Sequence, residues 1–366
     1  MYKVTLDGKT IVGNNEDWIT PNTQIWFENK DAGRYSVMYV GFMGMAQGAI
    51  NEMGLVVDGF ATNWLSVEKS NGKIEMDLDD ALRTAMRTMN TVEEVKAYYE
   101  SLDLSEMAQY QLVYIDKSGT YLIIEGDEMI IGDESEKTFS NFYYSQMSSI
   151  KDVPLAYYQR GIEYLDSTKS HVTRDYCSSV MKNMIQTDIT ATQYSTIYDL
   201  TEMKVRVYYY HDFEEFIELD LQEEFKKDDY EVNMADLFSD TSPGKQFYMN
   251  YNNPEKPYWL IENALGTADY SEEQLTQAGI PFLITMLGNE WYKGMNNTEA
   301  AIKVFKYGID LMPNNAKLNS DLGKVYFETR DYNKAKRSFE KSLQLDQENE
   351  STKDFLKRIR EIQRGH

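Results

Sequence analysis

The segment that decides the fold of the N-terminal half is residues 2–18, which read YKVTLDGKTIVGNNEDW. Two runs rich in β-branched and aromatic residues flank the pair Asp7-Gly8. Asp-Gly is typical of a two-residue hairpin turn, because both central positions take positive φ. The stretch Gly13–Trp18 is polar, and polar groups at the end of a buried strand need hydrogen-bond partners. The sequence therefore predicts a hairpin that leads into either an Asx-type turn or a functional site.

Beyond this hairpin, strand-like and helical runs follow one another as in an α+β domain. Further strands are predicted at Ser36–Phe42, Gly54–Phe60, Tyr110–Ile115, Thr120–Ile124, Glu128–Ile131, Tyr194–Leu200, Val205–His211 and Glu215–Leu219. Apolar residues at helical spacing predict helices at Leu78–Met89, Val92–Tyr99, Val153–Leu165 and Val172–Ile185. Thr91 and Glu94 have the spacing of a capping box that opens the second of these helices.

The C-terminal part contains an internal repeat. The set Ala301, Phe305, Ile309 and Leu311 recurs 34 residues later as Ala335, Phe339, Leu343 and Leu345. A period of ~34 residues, with small residues where helices cross, resembles the tetratricopeptide repeat (TPR). The resemblance implies a helical array over residues 283–366 that ends in a cap helix, Ser351–Ile362.

Charge and cysteine usage restrict the class of protein. The formal net charge is −23, which disfavours nucleic-acid and anionic-membrane partners. Residues 283–366 carry 15 basic and 12 acidic residues, and residues 1–282 carry the remaining 22 and 48. We therefore predict domains at 1–240 and 283–366, joined by a linker with a transition helix at 241–282. One cysteine allows no intrachain disulfide, no apolar run is long enough to insert into a membrane, and no motif predicts a cofactor or a metal.

Four ordered motifs give the N-terminal region a family resemblance. They are Gly13–Trp18, Asn51–Leu55 with the following VVDG, Thr138–Phe142, and Tyr194–Leu200 with the strands after it. This ordered set resembles the linear-amide hydrolases of the N-terminal-nucleophile superfamily, which include bile salt hydrolases and penicillin V acylases. The resemblance implies a four-layer αββα sandwich followed by the TPR-like helical array. It also implies hydrolysis of an N-acyl amide by an N-terminal cysteine whose α-amine is the nearby base.

The resemblance also implies roles for individual residues. Asp17 corresponds to the Asp that holds the terminal amine and orients the nucleophile. Asn141 corresponds to the side-chain donor of the oxyanion hole, and the backbone N–H near Ala61 would be the second donor. Asn14 stands where bile salt hydrolases have an Arg, which argues against bile-salt-like chemistry. Arg160 is aligned either with a second active-site Arg or with a solvated helix position.

The nucleophile itself lies outside the sequence. The family spacing puts the catalytic Cys two residues before Met1, in the order Cys-Thr-Met1. Cys177 lies in a predicted helix and lacks the terminal amine, so we interpret it as a core residue. A Cys exposed by removal of a signal peptide implies a periplasmic or extracellular protein, whereas a true start at Met1 implies a cytoplasmic one.

Three functions remain open from the sequence. The first is an amide hydrolase that needs the upstream Cys, with the chain from Met1 inactive. The second is an inactive scaffold of the same fold that binds an amide-like ligand. The third is an adaptor that works through its TPR region, either by binding a protein partner or by self-association.

Overall fold

The computed structural model describes residues 1–29, 33–70, 72–75 and 77–364. The chain divides into two compact units, Met1–Phe247 and Tyr248–His366. The boundaries that composition suggested, at residues 240 and 282, stay predictions. In the described ranges, no helix is both long and apolar enough to cross a membrane.

The first hairpin of the N-terminal unit forms as predicted. Strand β1 (Tyr2–Leu6) pairs with β2 (Lys9–Asp17) in the antiparallel register that joins Tyr2 to Gly13. Asp7 and Gly8 occupy the turn with φ of 51° and 76°. Positive φ at both positions is the requirement that selects Asp-Gly, so this turn fixes the register of everything that follows on β2.

Two antiparallel sheets make up the centre of this unit. The remaining strands are β3 (Gln24–Glu28), β4 (Val37–Phe42), β5 (Met45–Asn51), β6 (Val56–Ala61), β7 (Ile74–Glu75), β8 (Leu102–Asp103), β9 (Tyr110–Ile115), β10 (Tyr121–Glu125), β11 (Glu128–Gly132), β12 (Glu136–Thr138), β13 (Thr192–Asp199), β14 (Lys204–Tyr209), β15 (Ile217–Asp220) and β16 (Tyr230–Asn233). Among the described residues, a six-stranded sheet has the order β12-β1-β2-β13-β14-β15. An eight-stranded sheet has the order β11-β10-β9-β6-β5-β4-β3-β16, and β7 and β8 form a separate parallel pair.

Helices cover the outer face of each sheet. Helix α1 (Leu78–Thr88) and helix α2 (Val92–Tyr99) pack on the eight-stranded sheet in one apolar cluster. The capping box of Thr91 and Glu94 opens α2 as predicted. Helix α3 (Ala156–Ser167) pairs with α4 (Arg174–Asn183), and α4 packs on the six-stranded sheet. A short helix, α5 (Leu221–Glu224), follows β15.

The inner faces of the two sheets face each other. Gln47 on β5 donates to Glu16 on β2 at 2.6 Å. Lys3 on β1 donates to the carbonyl of Gly119, in the turn between β9 and β10, at 2.5 Å. With α1 and α2 outside one sheet and α3 and α4 outside the other, the unit is the predicted αββα sandwich.

The second unit is helical. After α6 (Pro243–Tyr251), which spans the unit boundary, its helices are α7 (Trp259–Leu265), α8 (Glu272–Gln277), α9 (Ile280–Asn289), α10 (Thr298–Leu311), α11 (Ala316–Glu328), α12 (Tyr332–Leu345) and α13 (Glu350–Arg364). Glycines allow the helices to approach closely, since a Cβ at Gly288 would lie 2.4 Å from the Phe305 ring. A Cβ at Gly323 would lie 2.6 Å from the Phe339 ring. Helix α9, which precedes the repeat, therefore packs against α10 through a glycine, as α11 packs against α12.

Candidate active site

One cavity of about 190 Å³ opens between the ends of β2, β6 and the segment after β12. Asp17, Asn141 and Ala61 all line it, so the structure brings together three of the site residues that the sequence suggested. Aromatic side chains form much of the remaining wall, namely Trp18, Phe42, Phe60, Phe139, Tyr157 and Tyr158. The cavity therefore combines a few polar groups with apolar walls, as small-molecule sites commonly do.

Asp17 is held at the end of β2 by two side-chain donors. Gln186 donates to one carboxylate oxygen at 2.6 Å, and the Thr192 hydroxyl donates to the other. Burial raises the pKa of Asp17 to about 6, although both hydrogen bonds act to lower it. The carboxyl group is thus fixed in position and changes charge close to neutral pH.

Asn141 is oriented by contacts on both ends of its amide. Its Nδ2 donates to the carbonyl of Ala61 at 2.9 Å, and its Oδ1 accepts from the Tyr157 hydroxyl at 3.0 Å. The second N–H of the Asn141 amide can donate to another acceptor in the cavity. The N–H of Ala61 points to the same edge of β6 as its carbonyl, because both groups of one strand residue project to the same side.

Two other predicted residues lie outside the cavity wall. Asn14 is 1% exposed and points between the sheets, two residues before Glu16 on the same face of β2. Arg160 is exposed on α3 and donates to the carbonyl of Ile185. Neither residue lines the cavity, so the structure does not bring them to Asp17 and Asn141.

Cys177 is a core residue, in agreement with the interpretation from sequence. Its side chain is fully buried on α4, and burial raises the pKa of its thiol. A Cβ at Gly13 would lie 2.7 Å from the Cys177 Sγ, so α4 lies directly against β2. A neutral, enclosed thiol of this kind is a poor nucleophile.

Sequence reasoning missed Glu16, Asp58 and Tyr157. Glu16 and Asp58 stood inside the motifs Gly13–Trp18 and VVDG, and Tyr157 stood inside a predicted helix, but their neighbours come from distant parts of the chain. Asp58 projects from β6 into the space between the sheets and is 2% exposed. The VVDG motif and its alternation of apolar and polar residues gave a sequence signal for Asp58, but they do not identify what faces the carboxyl group.

A second cavity of about 360 Å³ adjoins the first. Glu16, Phe42, Gln47, Gly59, Phe60 and Ala61 line both cavities. The other walls are mostly apolar and include Met45, Leu78, Leu82 and Leu112, with Asp77 and Asp79 also on the lining. An apolar compartment therefore opens beside the polar groups of the first cavity.

Comparisons with known proteins agree with this architecture. The structure of penicillin V acylase from Agrobacterium tumefaciens matches 63% of this chain and 90% of its own, with 13% identity and a TM-score of 0.50. A single-residue variant of conjugated bile acid hydrolase from Clostridium perfringens matches 64% of this chain and 97% of its own, with 16% identity and a TM-score of 0.48. A profile described as "Tetratricopeptide repeat" matches residues 316–349. A comparison with curated protein sequences gives no match.

The match to penicillin V acylase identifies the fold of the N-terminal unit, and the profile match identifies a repeat in the C-terminal unit. The N-terminal unit has the sandwich fold of the N-terminal-nucleophile amide hydrolases. The C-terminal unit is a helical array in which α11 and α12 form a tetratricopeptide repeat. Both conclusions confirm the fold that the sequence predicted.

Proposed function

We propose that the N-terminal unit hydrolyses the C–N bond of a linear N-acyl amide, with a Cys two residues before Met1 as the nucleophile. The shared fold and the grouping of Asp17, Asn141 and Ala61 around one cavity support this function. A leader whose removal exposes the Cys would accompany it, which is consistent with a periplasmic or extracellular protein.

The strand register at Met1 is the observation that carries the proposal. Met1 pairs with Phe139, since the Met1 amine donates to the Phe139 carbonyl at 2.9 Å and the Phe139 N–H donates back at 2.8 Å. The register of β1 with β2 joins Tyr2 to Gly13, so Met1 stands opposite Asn14. Two further residues in the same register would bring the second residue before Met1 opposite Asn141 on one side and Glu16 on the other.

The direction of that side chain also fits a nucleophile. Tyr2 and Val4 pack towards α4, whereas Met1 lines the cavity between the sheets. Side chains alternate along a strand, so the second residue before Met1 projects to the same face as Met1. A thiol there would enter the cavity beside Asn141.

The chemistry follows from these positions. The thiolate adds to the amide carbonyl carbon, and the carbonyl oxygen becomes an oxyanion that the free N–H of Asn141 and the N–H of Ala61 can stabilise. The C–N bond then breaks, the amine leaves with a proton, and a thioester remains. Water hydrolyses the thioester and releases the acid. Asp17 orients the α-amine that moves the proton.

The apolar second cavity suits the acyl chain of such a substrate. It adjoins Phe60 and Ala61, where the carbonyl carbon would lie, and its walls are Met45, Leu78, Leu82 and Leu112. Burial of apolar surface is worth about 25 cal/mol per Å², so a hydrocarbon chain gains affinity there without a polar contact.

The test compares chains that differ only ahead of Met1. One form begins Cys-Thr-Met1, a second begins Ala-Thr-Met1, and a third begins at Met1. Release of amine from N-octanoyl amides with neutral, cationic and anionic amine parts is followed at about pH 7.5, where the carboxylate of Asp17 has formed. We expect hydrolysis by the Cys-Thr form only.

Two results would contradict the proposal. Equal turnover in all three forms would show that the upstream thiol is not the nucleophile. Absence of turnover in every form, with each form folded, would favour a ligand-binding scaffold or an adaptor that works through the tetratricopeptide unit, whose fold is one that commonly binds proteins.

We expect Tyr157→Phe in the Cys-Thr form to lower kcat about tenfold while KM changes little. The Tyr157 hydroxyl donates to Asn141 Oδ1, and its loss frees the amide to rotate away from the oxyanion position. Removal of a whole oxyanion donor costs about 10²–10³ in kcat, so misorientation of one should cost less. Tyr158→Phe is the matched control, because its hydroxyl contacts Thr138. Steady-state kinetics on one substrate measures both, and an equal loss in the two variants would contradict the role.

A further inference from the structure

Two carboxyl groups approach the candidate site from opposite sheets. Glu16 lies on β2 next to Asp17, and it accepts a hydrogen bond from Gln47 at 2.6 Å. Asp58 lies on β6 and accepts from the backbone N–H of Gly59. Both line the first cavity, and Glu16 also lines the apolar one, so Glu16 lies at the junction of the two cavities.

Two buried polar groups beside Glu16 have hydrogen-bonding capacity that the described protein does not use. Asn14 lies on the same face of β2 as Glu16, and both its Nδ2 and Oδ1 lack partners among the described residues. Tyr194 stands directly opposite Glu16 in the register of β2 with β13. Its hydroxyl is also without a partner in the described part of the chain, and its side chain is 1% exposed.

These groups face the space between the sheets and not the helices. On the other face of β2, Asn15 donates to the carbonyl of Met181 on α4. On β13, Ile197 packs with α4, so Tyr194, an odd number of residues away, projects to the inner side. Asn14, Glu16 and Tyr194 therefore converge on the region where Asp58 enters from the opposite sheet.

The carboxyl groups of this cluster disfavour the binding of an anion and favour the binding of a cation. Burial raises the pKa of both carboxyl groups, and the negative charge of Asp58 adds to this for Glu16. Asp17 brings a third carboxyl group, and among the described residues of the cavity wall the Met1 amine is the positive charge that faces these three, with no Lys, Arg or His side chain beside it. Two buried carboxylates close together need either a proton or a cation to offset their repulsion.

An ammonium group matches the unused acceptors. It has three N–H donors and no acceptor. The carboxylates of Glu16 and Asp58 line the cavity and can take two of these donors, whereas Asn14 and Tyr194 lie outside that wall, beside Glu16. The Met1 nitrogen is also near Asp58, but it becomes a peptide amide in the chain that begins Cys-Thr.

We propose that the substrate carries an ammonium group close to its scissile amide, and that Glu16 and Asp58 bind this group beside Asn14 and Tyr194. The inference rests on the proposed function for its link to an amide substrate. It assigns a substrate class, cationic N-acyl amides such as monoacylated diamines, and it disfavours amides whose amine part carries a carboxylate or a sulfonate.

The first experiment measures binding without catalysis. n-Octylammonium, n-octanol and octanoate, which share a chain length and differ in charge, are titrated calorimetrically at neutral pH into the form that begins Ala-Thr-Met1, because its Met1 nitrogen is a peptide amide and does not compete for Asp58. We expect the ammonium ion to bind at least about tenfold more tightly than the other two, which corresponds to about 1.4 kcal/mol. Glu16→Gln combined with Asp58→Asn should remove this preference. Asp127→Asn combined with Glu128→Gln, two exposed carboxylates at the start of β11, is the charge-matched control and should keep it.

The outcomes separate this inference from the proposed function. The inference is wrong if octanoate binds as well as octylammonium, or if none of the three probes binds. It is also wrong if the double variant keeps both the preference for octylammonium and its unfolding temperature, because the cluster then holds only water. If the Cys-Thr form hydrolyses N-octanoylglycine and N-octanoylethanolamine as fast as N-octanoylethylenediamine, the inference is also wrong while the proposed function stands. If octylammonium binds selectively but no amide is hydrolysed, the cation site stands and the proposed function fails.

Discussion

In a chain that begins Cys-Thr-Met1, Asp17→Asn is expected to lower kcat for amide hydrolysis by about 100-fold or more. Asp17 is the carboxylate that would hold the α-amine next to the nucleophile. The two oxygens of Asp17 accept from Gln186 and Thr192, and an Asn at this position replaces one of these acceptors with an NH2 donor. Loss of the contact between Asp17 and the amine releases the amine from the geometry in which it moves the proton.

The pH profile gives a second measurement of the same prediction. Burial raises the pKa of Asp17 to about 6, so kcat/KM should rise as the pH increases through about 6 and the carboxylate forms. The rise should be absent in Asp17→Asn. The stability effect has the opposite sign, because a carboxyl group with a raised pKa in the folded state binds more protons there than in the unfolded state. The contribution of Asp17 to the free energy of unfolding therefore decreases as the pH rises from about 4 to about 6.

Asp188→Asn is the control for this experiment. Asp188 is exposed and lies two residues after Gln186, which contacts Asp17. It does not line the cavity. It should change kcat by less than about twofold, since exposed charges act weakly through solvent. A similar loss in both variants would mean that local charge, and not the Asp17 contact, controls the rate.

Phe339→Ala is expected to destabilise the C-terminal unit by about 3–5 kcal/mol. The Phe339 ring is fully buried, fills the space above Gly323 and stacks on Phe355 with ring centroids 5.0 Å apart. Removal of the ring leaves a cavity between α11, α12 and α13 that rigid helices cannot close. Repeat units depend on such contacts between neighbours because one hairpin cannot bury its own apolar face.

Phe282→Ala is the matched control, because Phe282 is in the same unit but 56% exposed. Unfolding in urea is measured by hydrogen exchange of the amides in α11 and α12, so that the two units are followed separately. The control should change the free energy of unfolding by less than about 0.5 kcal/mol. Equal effects in the two variants would show that the predicted repeat core does not hold this unit together.

Local features of the fold were predictable where one short segment determines them. The turn at Asp7-Gly8, the capping box at Thr91 and the strand Tyr110–Ile115 agree with the structure to the residue. The helix predicted at Val153 begins at Ala156 instead. Pro154 disfavours a helical conformation at Val153, and Leu155 takes the N-cap position.

Other parts of the fold depend on pairing between distant segments. Strand β16 joins β3 in a register that brings Tyr230 opposite Phe27, and neither strand was predicted. Strand β5 was missed because its sequence, MAQGAIN, has few β-branched residues. The same limit applies to the site. Asp17 and Asn141 fall within local motifs, whereas Glu16 and Asp58 acquire meaning only when two sheets bring them together.

The position of β1 between β2 and β12 affects the order in which the protein folds during synthesis. This strand is made before the other strands of its sheet and can form its hairpin with β2 at once, but its other neighbour, β12, follows more than a hundred residues later. Strand β13, which completes the pairing of β2 and carries Thr192, is made later still. Non-local pairing of this kind slows folding. The carboxyl group of Asp17 therefore gains its permanent partners only after most of the N-terminal unit has been translated.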